Sequence, residues 1–221
     1  MMSRADTVAE RVGLLRERIE RSGRHFDEVR VVAVTKGFGP EAVEASVAAG
    51  LVDCGENYAQ ALLGRVAKAP PIVRWHFLGP VQRNKVRALA PLVALWHGVD
   101  RLGAGTSIAA HRPGAAVLVQ VNLVGDPARP GCSWEAAPAL VAGLRSLDLD
   151  VQGLMGVAGQ GAGEAGAQFS RLAAMARRLE LAELSMGMSG DLEVALAEGA
   201  TIIRVGTALF GARPGVCPAR R

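Results

Sequence analysis

The stretch AELSMGMSGDLEVALAEGATIIRVGTALFGAR, residues 182–213, decides the fold. It holds two short apolar runs, 182–188 and 200–206. Between them DLEVALAE (191–198) has helical periodicity, and Gly199 stops it. Short continuous apolar runs suit strands covered on both faces. A strand, a helix and a second strand in this order imply a parallel pair joined by a right-handed crossover.

Working outward, the same rhythm fills the chain. Six more strand candidates lie at 29–35 (VRVVAVT), 51–56, 74–79, 94–99, 116–122 and 150–157. Helical stretches fill every gap, at 40–49, 58–69, 81–90, 102–111, 135–147 and 166–181. A further helix precedes the first strand, with Ala5, Val8, Val12, Leu15 and Ile19 on one face. Eight strand–helix units in 221 residues predict an α/β fold, a single (β/α)8 TIM-type barrel with an extra N-terminal helix. An open doubly wound sheet is the competitor, and six strands are more usual there. The leading helix can fill the outer-ring place left vacant after the last strand. The barrel is expected to occupy residues 1–213, with a flexible proline- and arginine-rich tail over 214–221. GQGAGEAG (159–166) reads as a mobile loop.

Composition removes several classes of function. Half of the residues are apolar and 21% are charged, so wholesale disorder is excluded. No apolar stretch is long enough to span a membrane. The N-terminus mixes both charge signs and has no secretory pattern, so a cytoplasmic location is expected. Cys54, Cys132 and Cys217 are scattered and odd in number, which gives neither a disulfide framework nor metal-ligand spacing. The net charge of +4 is spread along the chain, and only 4% of residues are aromatic, which argues against nucleic-acid binding. The chain has three lysines, Lys36, Lys68 and Lys85; every other basic residue is arginine.

In a parallel barrel, function gathers at the C-terminal strand ends. The first strand ends in Thr35-Lys36, and Lys36 is the one lysine at such an end. Its apolar strand would desolvate the stem, lower its pKa and free the amine to form a Schiff base with a carbonyl. The alternative is a solvated, idle lysine. Ser189 and Gly190 follow the seventh strand, and Gly206 and Thr207 follow the eighth. Loops at these two places often cradle phosphate, with glycine admitting backbone N–H groups and hydroxyls adding donors. Taken singly, Gly190 reads as a turn and Thr207 as a cap. Arg204 interrupts an otherwise apolar strand, so it either pairs with a carboxylate inside the barrel or faces a ligand atom. Together these residues point to an aldehyde that carries a phosphate. Pyridoxal 5′-phosphate fits, and so does a phosphorylated sugar on a class I aldolase. The aldolase lysine normally lies on a later strand, where this chain has none.

VVAVTK (31–36), DCGENYAQ (53–60), WHFLGPVQRNK (75–85) and residues 184–213 resemble the pyridoxal-phosphate homeostasis protein family, a single-domain relative of the alanine-racemase barrel. The match runs in order over nearly the whole chain. The resemblance implies that Lys36 holds the cofactor as an internal aldimine. It implies that Ser189, Gly206 and Thr207 surround the phosphate and that Arg204 faces the pyridine nitrogen; Gly190, beside Ser189, is expected to bind the cofactor with them. It places Asn57 and His76 near the ring. It implies a mostly monomeric protein that binds pyridoxal phosphate and helps balance free vitamer and amino-acid pools.

A low-rate amino-acid racemase is the alternative function. Racemases of this barrel use a second base, usually a tyrosine supplied with an additional domain; Tyr58 is the one tyrosine here and reads as a helix residue. The chain also departs from the family. Phe38 stands where a second lysine is common, and Arg129 replaces a lysine after the fifth strand, which puts hand-over of cofactor between lysines in doubt. Lys85 does match the pattern, and its plain reading is a solvated helix residue.

Overall fold

In a computed structural model the chain closes into an eight-stranded parallel barrel whose strands follow chain order. The structure describes residues 4–159 and 162–212. The strands are β1 Arg30–Val34, β2 Asp53–Glu56, β3 Arg74–Phe77, β4 Val93–Val99, β5 Ala116–Val121, β6 Asp150–Gly156, β7 Glu183–Ser185 and β8 Ile202–Val205. Strand β8 pairs back onto β1, with Val32 opposite Arg204, so the open-sheet alternative is excluded. The helices are α1 Arg4–Arg21, α2 Glu41–Ala48, α3 Ala59–Val66, α4 Arg83–Leu89, α5 Leu102–His111, α6 Ala137–Arg145, α7 Ala162–Arg178, α8 Leu192–Ala197 and α9 Thr207–Phe210. Among the described residues no helix is long and apolar enough to cross a membrane.

Alternation along each strand splits the core in two. Val31, Ala33, Trp75, Phe77, Trp96, Val117 and Ile203 face the helices and join the large core. Val32, Leu95, Leu118, Met155 and Ile202 form a small apolar cluster inside the barrel. The inward positions also carry the buried polar residues Asp53, His76, His97, Gln120, Ser185 and Arg204. Helix α1 buries Val8, Val12, Leu15 and Ile19 and packs against α2, α8 and α9, taking the outer-ring place expected of it.

Two elements differ from expectation. Helix α7 begins at Ala162, so the loop expected over 159–166 is shorter; residues 160 and 161 lie outside the described residues. The buried pair Ala165 and Phe169, four apart, continues the apolar stripe of α7 toward its start, and this outweighs the local glycines. The single-turn α9 leaves no mark in the sequence, because four residues show no period. The tail expected over 214–221 lies outside the described residues.

Backbones approach closely at the C-terminal strand ends. A Cβ added to Gly79 would sit 2.0 Å from the Asn57 carbonyl oxygen, and one added to Gly98 would sit 2.3 Å from the Gly79 carbonyl oxygen. These contacts pack Asn57, Gly79 and Gly98 side by side under the mouth. Gly98→Ala is therefore expected to destabilise the fold by about 2 to 3 kcal/mol through overpacking. Urea unfolding measures this, and a loss under about 0.5 kcal/mol, within the range of neutral surface changes, would contradict the packing described.

Candidate functional site

Lys36 sits where β1 gives way to a turn, and Gly37 takes a left-handed φ of 79° to make it. The turn is clamped from below. Thr35 Oγ1 donates to Glu56 Oε1 at 2.6 Å, and Arg65 Nε on α3 meets the same oxygen at 3.0 Å. Arg65 Nη1 donates to the Gly39 carbonyl at 3.2 Å, and Nη2 donates to that of Phe38. Glu56 is fully buried, and its Oε2 has no hydrogen-bond partner. Burial raises its pKa, opposed by Thr35, Arg65 and, more weakly, the Lys36 charge. One guanidinium thus ties the backbone just after Lys36 to the end of β2.

The loops after β7 and β8 meet each other. Thr207 Oγ1 lies 3.2 Å from Ser189 Oγ, and the Ala208 N–H donates to Ser189 Oγ at 3.3 Å. The Met188 N–H donates to Asp191 Oδ1 at 2.6 Å, which shapes the turn through Ser189 and Gly190. Arg18 of α1 donates to the Ser189 carbonyl at 3.3 Å while pairing with Glu193 at 2.7 Å. A Cβ on Gly206 would press within 3.3 Å of the Val34 carbonyl oxygen, so this loop runs close over the end of β1.

Arg204 is buried at 5% exposure, and its hydrogen bonds go to neutral oxygens rather than to a carboxylate. Nη1 donates to Ser185 Oγ at 2.7 Å and Nη2 to the Gly156 carbonyl at 2.8 Å. Burial lowers its pKa to about 10, partly offset by Asp191, so the group is charged at neutral pH. Behind Ser185 lie His97, with Nδ1 at 2.9 Å from Ser185 Oγ, and then His76, with Nδ1 at 2.9 Å from His97 Nε2. His76 Nε2 reaches Asp53 Oδ1 at 2.8 Å. Asp53 also pairs with Arg74 at 2.5 Å. Burial lowers the pKa of His76 despite the opposing carboxylate, and burial, helped by the charge that a protonated His76 would carry and by Arg204, holds that of His97 well below the usual imidazole value. Burial alone would raise Asp53, but the hydrogen bonds from His76 and Arg74 win and hold it below the usual carboxylate range.

A cavity of about 420 Å³ opens at this mouth. It brings together Lys36, Asn57, Ser189, Gly190, Arg204, Gly206 and Thr207. His76, Tyr58 and Lys85 do not line it: His76 sits deeper in the barrel, Tyr58 is exposed at the start of α3, and Lys85 lies on α4. Sequence reasoning missed Gln120 and Met155, which also line the cavity from β5 and β6. Their inward register on apolar strands was the available signal. A second space of about 390 Å³ adjoins the first along Gln120, Pro130, Val157 and Met188, with Arg129 on its far side. The arrangement offers an amine, a buried cation and a hydroxyl- and glycine-rich rim within one concave site, a set suited to a phosphorylated carbonyl compound.

The alanine racemase N-terminal domain family matches residues 11–214. A curated pyridoxal phosphate homeostasis protein of Pseudomonas aeruginosa is 40% identical over 99% of this chain and 100% of its own length. One of Deinococcus radiodurans is 39% identical over 89% of this chain. Among solved structures, PipY of Synechococcus elongatus with pyridoxal phosphate bound aligns with a TM-score of 0.78 at 33% identity, covering 92% of this chain and 100% of that one.

The buried histidines generate a pH prediction. An unfolded histidine titrates near 6.5, whereas these two are held neutral in the fold to lower pH. As pH falls below about 6.5 the unfolded chain takes up protons that the folded rings refuse, so stability drops by up to about 1.4 kcal/mol per pH unit for each ring. Glu56 opposes this, because its raised pKa makes the fold more favourable as pH falls. His97→Gln removes one titrating ring. Urea unfolding at pH 7 and 5.5 should show a shallower loss in the variant than in the wild type, and equal losses would contradict the assignment.

Proposed function

The chain belongs to the alanine racemase N-terminal domain family and, within it, to the pyridoxal phosphate homeostasis proteins, and from that membership we propose that it binds pyridoxal 5′-phosphate at the barrel mouth and takes part in the homeostasis of this cofactor and of amino acids. The observation that carries the reading is the convergence of Lys36, Arg204 and the β7 and β8 loops on one cavity.

The residues fit the group. Lys36 supplies the amine that holds the aldehyde. Ser189, Gly190, Gly206 and Thr207 would supply hydroxyl and backbone donors for the phosphate. Asn57 lies on the wall of the cavity and would stand beside the ring. His76 lies outside the lining of the cavity and is bonded to His97. When bound, the cofactor supplies an electrophilic carbonyl and a conjugated ring that draws electrons from an attached amine. Arg204 has only donors, so placed against the ring nitrogen it would keep that atom unprotonated and would weaken the electron sink.

The racemase alternative is not favoured. Racemisation between two bases needs a proton carrier on each face of the ring, and among the described residues lining the cavity Lys36 is the one amine, with no tyrosine, histidine, cysteine or carboxylate beside it. The adjoining space near Arg129 has the size for a small amino acid. A monomer in the reducing cytoplasm completes the reading. The scatter of exposed large apolar side chains over α1, α3, α5 and three loops supports the first part.

Incubation with pyridoxal phosphate, borohydride reduction and peptide mapping test this. The protein should turn yellow, the reduced adduct should map to Lys36, and Lys36→Ala should abolish both. A colourless protein, or an adduct at Lys68 or Lys85, would overturn the site. Sustained racemisation of alanine that is lost in Lys36→Ala would overturn the choice of binder over racemase.

A further inference from the structure

Five of the polar residues inside the barrel form one unbroken line. Asp53 on β2, His76 on β3, His97 on β4, Ser185 on β7 and Arg204 on β8 are linked by four hydrogen bonds of 2.7 to 2.9 Å. The line crosses the interior from the opening at the N-terminal strand ends, which Asp53 and Arg74 line, to the floor of the cavity at the C-terminal ends.

With both rings neutral, as their burial favours, the two ends fix every hydrogen between them. A guanidinium only donates, and an ionised carboxylate only accepts. Arg204 therefore donates to Ser185 Oγ. The Ser185 hydrogen goes on to His97 Nδ1, which leaves His97 Nε2–H to donate to His76 Nδ1. His76 Nε2–H then donates to Asp53. Both rings are neutral and both carry the hydrogen on Nε2. Each bond in the line polarises the next in the same sense.

We propose that His97 and Ser185 are positioning residues: the line anchored on Asp53 fixes the direction in which the Arg204 guanidinium points and so sets its contact with the ring nitrogen of bound pyridoxal phosphate. This rests on the reading of Arg204 as the partner of that nitrogen. If Ser185 lost its hydroxyl, Arg204 would keep only the Gly156 carbonyl, on one of its two terminal nitrogens. His97 Nδ1 would lose its donor.

The test has two parts. Long-range proton–nitrogen correlation spectra of the histidine rings, recorded on the cofactor-free protein at pH 7, should show His76 and His97 neutral with hydrogen on Nε2. A cationic ring, or hydrogen on Nδ1 of either, would overturn the line. In the second part Ser185→Ala is titrated with pyridoxal phosphate. It should weaken binding roughly tenfold, as expected for loss of one charge-assisted hydrogen bond, and move the visible band of the loaded protein. Ser185→Thr, which returns the hydroxyl, should restore both. His97→Gln offers an acceptor to Ser185 and a donor to His76, so it should keep the band in place, whereas His97→Leu should move it. This pair serves if Ser185→Ala does not fold. An unmoved band and unchanged affinity in a folded Ser185→Ala or His97→Leu would reduce the line to a structural filler and overturn the proposal. If the wild type binds no pyridoxal phosphate, the functional reading fails instead, and the ring spectra still decide whether the line exists.

Discussion

A guanidinium sealed in a barrel has to be solvated by the barrel. Arg204 shares the interior with Val32, Leu95, Leu118, Met155 and Ile202, none of whose side chains offers an oxygen. Leaving such a charge unmatched costs several kcal/mol even after relaxation. The strands meet this with their inward positions, where Ser185, His97, His76 and Asp53 replace apolar residues one strand after another. The result is a floor that is polar, neutral in its middle and anchored to a carboxylate held below the usual range. It fixes the cation at one place and leaves the space above it as a cavity.

The rim is held by different means. Arg65 reaches from α3 to the carbonyls of Phe38 and Gly39 and to Glu56, so the backbone beside Lys36 depends on a helix outside the barrel. Arg18 plays a similar part from α1, bridging the Ser189 carbonyl and Glu193. The Arg18–Glu193 pair is partly exposed, so its worth is about 1 kcal/mol or less, and its contribution is to place the loop rather than to stabilise the fold. The leading helix thereby serves both closure of the outer ring and shaping of the mouth.

Much of this was legible in the sequence. The β–α rhythm is carried by short apolar runs that the structure keeps to within a few residues, and the strand ends lead directly to Lys36, Ser189, Gly206 and Thr207. What was not legible depends on register between strands distant in sequence. Asp53, His97 and Ser185 lie on three strands, and nothing local says that they meet. The family resemblance places His76 near the ring; its inward register sets it lower, between Asp53 and His97. The pairing of Arg65 with Glu56 crosses a βα loop and shows no helical spacing. Helix α9 is too short to have a period, and the start of α7 was hidden by glycines that its buried Ala165 and Phe169 override.

The central claim is that one cavity holds pyridoxal phosphate between Lys36, the two glycine-bearing loops and Arg204. A crystal structure of the protein grown with pyridoxal phosphate tests it most directly. The account predicts density continuous with Lys36 Nζ, the phosphate between Ser189-Gly190 and Gly206-Thr207, and the ring nitrogen on Arg204. Cofactor density at another lysine, or a ring turned away from Arg204, would contradict it.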